Sequence, residues 1–503
     1  MRNLAPMSAA YATGLKLSSM GRHADAIAQF EQALAQDPDD PKVLFALGNT
    51  ASQLGLAGPA EQFFRRVLSL DPCRKEAIVN LANLLRAAGQ YDAAIALVVP
   101  AVAREPRSPE LHLTLGSAWR EKGDFERATV HYEAALVAHP GYAPALANLA
   151  DMRSDAGDRE AARTLYDKAI KADPGNAQAR LNRAVLHLLN GDLKDGWRDY
   201  AARSEVPGKV PAVAGEQRLA PWTGDSLKKK RLLVRTEQGV GDQLMFASLI
   251  PDLVARAKAD GGSVVLECEP RLVSLFARSF PDATVRPAAV RTIGGTPTAD
   301  YGWLKAAGGA NTCVLMGNLP RILRPKLDAF PDPHAFLVPD AEEVARWKNI
   351  FGEQAIGISW RSGKRGGGDR DLQYAPLDQW AALLKRHDAT YVCAQYDAQP
   401  DEIAALEQMS GRKIIVPQQI DQKNELDRTC AMLSALDVLI TAPTAVSWLA
   451  AGAGVRSFKI LYGDVWTAMG RPHEPFAPSC ECIVPATRGD WQDGFHQVIT
   501  KLS

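Results

Sequence analysis

A spacing of 34 residues governs the first part of this chain. Glycines fall at Gly21, Gly55, Gly89, Gly123, Gly157 and Gly191. Five residues after each comes a small residue, Ala26, Ala60, Ala94, Ala128, Ala162 and finally Gly196. Four further on comes a large one, Phe30, Phe64, Val98, Tyr132, Tyr166 and Tyr200. Prolines close the units at Pro38, Pro72, Pro106, Pro140 and Pro174. Four columns at one period exclude a single globular core for this stretch, because each unit must bury its apolar side against the next. The glycine ends a first helix, the small residue lets a second helix pack closely, the large residue fills the space between, and proline stops the second helix.

This pattern resembles the tetratricopeptide repeat over residues 7–203, with a sixth unit that lacks the closing proline and carries Gly196-Trp197. The resemblance implies a helical solenoid whose concave face holds a peptide or a partner protein. Asn49, Asn80, Asn83, Asn148 and Asn182 lie on the first helices of their units, where the amides can bond a peptide backbone or solvent. Residues 204–228, rich in proline and glycine, read as an irregular linker anchored by Trp222.

From Lys230 the repeats stop and short apolar runs alternate with amphipathic segments. RLLVR, SVVLEC and TCVLMG are predicted strands, with helices from Asp242 to Ala259 and near Arg271 to Ser279. After a proline-rich connection the alternation restarts with AIGISW, TYVCAQ, KIIV, DVLIT and SFKIL, interleaved with helices at Leu377–Arg386, Glu425–Ala435 and Ala445–Ala453. Such alternation predicts parallel sheets covered on both faces. The expected fold class is therefore α followed by α/β, a helical solenoid and then two Rossmann-like lobes over 229–335 and 336–503. In such lobes ligands bind at the carboxyl ends of the strands.

Charge and composition narrow the function. With 58 basic and 58 acidic side chains the chain lacks the basic excess of a nucleic-acid binder. No run approaches the ~18 to 20 apolar residues of a membrane span, and the start shows no signal-peptide core, so a cytoplasmic location is expected. Seven scattered cysteines do not form a disulfide framework. Cys480 and Cys482 are expected to point to opposite faces of a strand, which leaves no metal site there.

Three turns carry the candidate chemistry. TEQGVGDQL has Gln238, Gly239 and Gly241, but Leu244 stands where a dinucleotide fingerprint needs its third glycine. Asp242, at the start of the following helix, is either an N-cap or a general base. WRSGKRGGGDRD joins Arg361, Ser362, Gly363, Lys364, Arg365 and Arg370 to further glycines directly after a strand, the composition a diphosphate requires. Asp369 and Asp371 spell a D-x-D, a spacing common by chance, and no metal is expected. TAPTAVSWLAAGAG opens a helix at Thr444, Ala445 and Val446, where free N–H groups can accept a phosphate or the hydroxyl can cap. Upstream, Asn424, Glu425 and Asp427 of QKNELDRT are candidate nucleoside contacts.

With these residues in view, residues 196–503 resemble bacterial tetratricopeptide-repeat glycosyltransferases, relatives of the heptosyltransferases and of the O-linked N-acetylglucosamine transferases. The resemblance rests on Gly196-Trp197, the PW before the first strand, EQGVGDQLMF, IGISW, SALDVLITAPTAVSWLAAGAG and the GDW at Gly489 to Trp491. The run QKNELDRTCAMLSALDVLITAPTAVSWLAAGAG is also similar to alphaproteobacterial proteins tied to flagellin glycosylation. What this implies is a two-lobed GT-B fold with no cofactor and no metal. Its second lobe would hold a nucleotide sugar as co-substrate, and its first lobe a protein acceptor, flagellin in the narrower resemblance. Asp242 matches the family's catalytic base. Pro443 and Trp448 stand where many relatives have aspartate and histidine, so that either the donor differs, a nucleotide-linked nonulosonic acid in place of a common nucleotide diphosphate sugar, or the lobe no longer catalyses and the chain is a scaffold.

Overall fold

The computed structural model describes residues 8–214, 219–293, 296–332, 334–363, 372–386 and 388–502. They form two compact units, one running to Ala179 with a short later segment, the other built from Arg180–Arg291 and Thr296–Ser503.

The first unit is a stack of helix pairs: α1 Ala9–Ser19 with α2 His23–Leu34, α3 Pro41–Gln53 with α4 Ala57–Leu70, and α5 Lys75–Ala87 with α6 Tyr91–Arg104. Then come α7 Pro109–Glu121 with α8 Phe125–Ala138, and α9 Ala143–Asp155 with α10 Arg159–Ala172. Gly21, Gly55, Gly89, Gly123 and Gly157 have φ between +73° and +89°, a left-handed turn that an L side chain resists. Ala26, Ala60, Ala94, Ala128 and Ala162 are 0% exposed, so there is no room for a larger residue in that column. A further small column, Gly14, Gly48, Ala82, Gly116 and Ala150, lies on the first helices. A Cβ on Gly14, Gly48 or Gly116 would come within 2.5, 2.7 or 2.8 Å of the ring of Phe30, Phe64 or Tyr132. Glycine is thus what admits the aromatic ring. The asparagine amides bond to neighbouring side chains: Asn80 Nδ2 donates to Asn49 Oδ1 at 2.7 Å, and Asn148 Nδ2 to Ser117 Oγ at 3.4 Å, each linking two successive pairs. Asn83 Oδ1 accepts from Arg86 at 2.8 Å.

The chain passes from one unit to the next within α11, Ala177–Leu189, which pairs with α12, Leu193–Tyr200. Leu188, Leu193, Trp197 and Tyr200 share one core with the first α/β sheet. Trp197 is 2% exposed and its indole N–H donates to the Arg324 carbonyl at 3.2 Å. The sixth helix pair therefore belongs physically to the α/β unit, although its sequence belongs to the repeats.

The first sheet holds β1 Ala220–Pro221, β2 Arg231–Arg235, β3 Ser263–Cys268, β4 Thr284–Pro287 and β5 Thr312–Leu315, in the order β1-β5-β2-β3-β4, all parallel. Part of the expected linker is thus an edge strand. Pro221 is tolerated there because an edge strand has one side free of ladder bonds. Trp222 is buried and anchors this end, its backbone N–H bonding to the Cys313 carbonyl at 2.7 Å and its indole N–H to the Asp225 carbonyl at 2.8 Å. The helix expected from Asp242 to Ala259 is broken into α13, Val240–Ala247, and α14, Ile250–Ala259, because Pro251 cannot continue a helix and instead begins one. Helices α15, Val273–Ser279, and α16, Leu319–Leu323, complete this half.

The second sheet holds β6 Ala355–Ser359, β7 Thr390–Cys393, β8 Ile414–Ile415, β9 Val438–Thr441, β10 Arg456–Ile460 and β11 Cys480–Ile483, again all parallel, in the order β8-β7-β6-β9-β10-β11. Around it lie α17 Ala341–Phe351, α18 Leu377–Arg386, α19 Pro400–Ser410, α20 Leu426–Leu433, α21 Ala445–Gly452 and α22 Trp491–Leu502. Cys480 and Cys482 do not point to opposite faces. Strand side chains repeat every second residue, so both lie on the same buried face, near the Lys459–Glu474 ion pair. Among the described residues no helix is long and apolar enough to cross a membrane.

Candidate functional site

Numbered by position in the chain, the second sheet reads 3-2-1-4-5-6, so its strand order reverses between β6 and β9. Ligands of doubly wound sheets bind in the crevice at that reversal. Two of the three sequence-predicted turns flank it. After β6, Gln395 Oε1 accepts from Ser359 Oγ at 3.3 Å and from the backbone N–H groups of Trp360 and Arg361, both at 3.0 Å. Gly363 N–H donates to Tyr396 Oη at 2.6 Å, and a Cβ on Gly363 would overlap that oxygen. The Ser362 carbonyl accepts from Arg361.

Arg361 departs from its predicted role. Its guanidinium bonds Glu402 at 2.8 and 2.6 Å and both Asp397 oxygens at 2.9 Å, with further bonds to the Ser362 and Asp397 carbonyls. A guanidinium so engaged anchors the turn and has no donor left for a phosphate. Two carboxylates just beyond the next strand outcompete solvent for it. Lys364, Arg365, Asp369, Arg370 and Asp371 lie outside the described residues.

After β9, Thr444 occupies the N-cap position of α21, yet its hydroxyl makes no capping bond and is buried without a partner among the described residues. The Thr444 carbonyl accepts from Ser447 Oγ at 2.7 Å. Ala445 and Val446 form the first turn. Trp448 is 8% exposed, and its ring carries the Lys459 ammonium 3.9 Å from the centroid. Lys459 in turn pairs with buried Glu474 at 2.6 Å.

In the first sheet the order reverses between β2 and β5. Glu237, two residues past β2, reaches across that reversal: one of its oxygens, Oε1, accepts from Gly317 N–H at 3.0 Å and from Arg203 at 2.6 and 3.2 Å. Arg203 also donates to Asn318 Oδ1 at 2.8 Å and to the Tyr200 carbonyl at 3.1 Å. A Cβ on Gly317 would lie 2.7 Å from Arg203 and 2.8 Å from Glu237, so glycine makes room for the pair. The turn itself is pinned by Gln238, which exchanges hydrogen bonds with Tyr200 Oη, and by Gln243 Nε2 donating to the Gln238 carbonyl at 2.9 Å.

Helix α13 starts at Val240 with Gly239 as its N-cap, which places Asp242 in the third helical position. The N-cap reading of Asp242 is corrected accordingly. Burial pushes its carboxyl up to about 6, and the neighbouring Glu237 charge adds to this; N–H groups of Gly239 and Asp242 and the Arg203 charge pull the other way. A second carboxyl, Glu267 at the end of β3, is pushed up to about 7, chiefly by burial, while accepting from Thr236 N–H at 3.2 Å and Tyr301 Oη at 3.1 Å.

The two halves meet at these turns. A Cβ on Gly241 would lie 3.7 Å from Ala445 Cα and 3.8 Å from Trp448 Cδ1, so α13 and α21 bring their first turns together. Neither Gly239 nor Gly241 has a positive φ. The suggested nucleoside contacts are used elsewhere. Asp427 forms a two-pronged ion pair with Arg278 of α15, which also donates to the Val338 carbonyl at 2.8 Å. Asn424 donates to Asp421 at 2.7 Å, while Glu425 accepts from Asp421 N–H at 2.7 Å and Arg428 at 2.9 Å. These polar side chains fasten the two halves and the entry to α20.

Sequence reading missed Arg203, Glu267, Tyr301 and Gln395, and left Glu237 without a role. Only Glu237 had a local signal, a carboxylate between a strand and a glycine turn. The others come together through topology.

Helix pairs at a 34-residue period followed by a five-stranded and a six-stranded parallel sheet, with a small three-stranded sheet beside them among the described residues, define a repeat protein with an α/β body, and comparison agrees on the repeats. The tetratricopeptide repeat model matches residues 11–73, 79–143 and 148–208. The chain is similar to Protein FlbA of Caulobacter vibrioides, 32% identical over 332 residues, covering 64% of this chain and 54% of FlbA. It thus spans about half the length of that relative. Among solved structures, the tetratricopeptide protein TTC0263 of Thermus thermophilus is 25% identical, covering 35% of this chain and 95% of its own, at a TM-score of 0.31. The type IV pilus biogenesis factor PilW is 21% identical, covering 39% and 90%, at a TM-score of 0.33.

Proposed function

We propose that this chain is a cytoplasmic glycosyltransferase of the GT-B type, moving a sugar from a nucleotide-activated donor to serine or threonine hydroxyls of a protein held by its repeats, with flagellin as the acceptor to test first. The single observation that carries this reading is the meeting of two helix N-terminal turns, α13 and α21, with a buried carboxyl whose midpoint is about 6 in one of them. A base is most effective when its pKa lies near the working pH. In this reading the acceptor hydroxyl gives its proton to the Asp242 carboxylate while its oxygen bonds to the anomeric carbon. The bond from that carbon to the diphosphate oxygen breaks, and the departing charge faces the N–H groups of Thr444, Ala445 and Val446. No metal or cofactor enters the scheme.

The test is intact-mass analysis of flagellin incubated with purified protein and a panel of nucleotide sugars. The expected result is a mass increase of one or more sugar residues that Asp242→Ala abolishes. An unchanged mass under every donor, with modification persisting in cells that lack the protein, would overturn the proposal.

A second reading, a scaffold whose α/β body no longer catalyses, is favoured by the fully engaged Arg361 and by Trp448 filling the space beside Gly241. It predicts that Asp242→Ala with Lys364→Ala leaves glycosylation in cells intact, whereas removal of the repeats abolishes it.

A further inference from the structure

One face of the first sheet carries two arginines that meet no carboxylate. Val234 of β2 pairs with Leu266 of β3, and Glu267 of β3 pairs with Arg286 of β4. One step along, Arg235, Glu267 and Arg286 therefore stand abreast on three neighbouring strands and share a face. The stretch after Ala299 lays two aromatic rings on that face, Tyr301 and Trp303, with centroids 6.2 Å apart. The Arg235 guanidinium lies 5.3 Å from the Tyr301 centroid, and that of Arg286 5.3 Å from the Trp303 centroid. Each cation is thus pinned to its own ring. Arg235 is braced further by a buried relay: its Nε donates to Tyr301 Oη at 2.9 Å, and the Tyr301 hydroxyl donates to Glu267 Oε2 at 3.1 Å, with Tyr301 4% and Glu267 1% exposed.

This bracing does not neutralise the row. Arg183, Arg203, Arg278, Arg324 and Arg361 of the same unit each meet a carboxylate, but among the described residues neither Arg235 nor Arg286 does. The buried Glu267 between them leaves its Oε1 without a partner among the described residues. Cys313 borders Arg235, and Asp300 is engaged by Arg291 at 3.0 Å. Both guanidiniums belong to half-buried residues, so their charged forks are positioned yet within reach of a ligand.

We infer that this row is a docking site for an acidic segment of a protein partner, with Arg235 and Arg286 each taking one carboxylate and the half-buried Trp303 ring packing against the chain between. The spacing favours a segment over a small anion. Two strand gaps set the backbones of the two arginines about 10 Å apart, which one phosphate or carboxylate group cannot span. An extended polyproline-type chain rises about 3.1 Å per residue with three residues per turn, so acidic residues three apart lie on one side about 9 Å from each other. The inference rests on the transferase reading only in making this partner the acceptor; the docking itself needs no sugar donor.

The experiment is fluorescence anisotropy of full-length protein with a labelled hexapeptide, Pro-Asp-Pro-Pro-Asp-Pro, and its Pro-Asn-Pro-Pro-Asn-Pro counterpart, without any nucleotide sugar. The aspartate probe should bind at least about tenfold more tightly, and Arg235→Gln and Arg286→Gln should each weaken it by about fivefold. Lys305→Gln, which removes an exposed cation outside the row, should leave binding unchanged. Equal binding of the two probes overturns the inference, as does an equal loss in Lys305→Gln, which would show a general field and no site. If Arg235→Gln loses its wild-type circular dichroism, Arg286→Gln, which leaves the relay intact, decides: undiminished binding there overturns the inference. Inorganic phosphate should displace the probe no better than potassium chloride at the same ionic strength, and selective displacement would make this a small-anion site instead. If the probe binds as expected but flagellin mass never changes, the docking site stands and the transferase reading falls.

Discussion

Replacing Asp242 by asparagine should make the protein more stable while removing the proposed base. A carboxyl that titrates near 6 in the folded chain and near 4 in the unfolded one opposes folding once ionised, by about 3 kcal/mol at neutral pH. Partial solvent access reduces this to roughly 1–3 kcal/mol. The amide keeps the shape, and its oxygen can still accept from the Gly239 N–H. The sign follows from linkage: wild type gains from the raised midpoint below about pH 4 and loses that gain as pH rises through about 6. The amide of the Asp242→Asn variant does not titrate, so its advantage should be absent at pH 4, grow between 4 and 6, and level off above. In a unit of about 320 residues, 1 kcal/mol corresponds to roughly 1.5 °C in Tm. Differential scanning fluorimetry at pH 4, 5, 6 and 7.5 should therefore show the second unit's transition unshifted at pH 4 and raised by about 2–4 °C at pH 7.5. A variant less stable than wild type at pH 7.5, or equally shifted at every pH, would refute the reasoning.

Other substitutions separate structure from binding. Arg361→Ala strands Asp397 and Glu402 in a part-buried site and should cost about 2–4 kcal/mol in urea unfolding of the second unit, as an architectural residue does. Gly241→Ala places a methyl at ordinary contact distance from Ala445 and Trp448, so helix propensity should make it neutral to about 1 kcal/mol stabilising. If it folds as well as wild type yet loses sugar transfer, a ligand approaches the backbone there. In the first unit, His112 Nε2 donates to the Pro106 carbonyl at 3.0 Å, which leaves its Nδ1 to accept from His131 Nδ1 at 3.1 Å. Burial, and then His112, lower the pKa of His131, so stability from this pair is present above about pH 6.5 and lost as pH falls through the lowered folded value. The urea midpoint of the first unit should drop between pH 7.5 and 5.5, and His131→Gln, which can still donate, should flatten that slope.

The helical array was legible because its constraints are local and repeat. A glycine at positive φ and an alanine column with no space recur at one spacing, and periodicity reveals them. The column of Gly14, Gly48 and Gly116 obeys the same period but was hidden, since alanine replaces glycine at Ala82 and Ala150. Strands such as RLLVR and DVLIT were legible as apolar runs, whereas Ala220–Pro221 carries no strand pattern and pairs only because the edge of β5 is available. The candidate site was legible where chemistry sits in one turn, as in Gln238 to Asp242. It was illegible where the partners are distant. Arg203 and Glu237 are 34 residues apart and Arg361 and Glu402 41 apart, and no local rule pairs them. Arg361 looked free because the sequence shows a charge but not what neutralises it.

The shared core of the sixth helix pair has a consequence for how such a protein can change. Pairs before Ala179 bury their columns against neighbours of the same kind, so whole units there are interchangeable parts, and their number can vary in steps of 34 residues. The sixth pair has no such freedom: Trp197 and Arg203 face partners, the Arg324 carbonyl and Glu237, that no other unit could supply. It acts as a fixed origin. Lengthening or shortening the array is counted from that origin and leaves the geometry around Asp242 untouched.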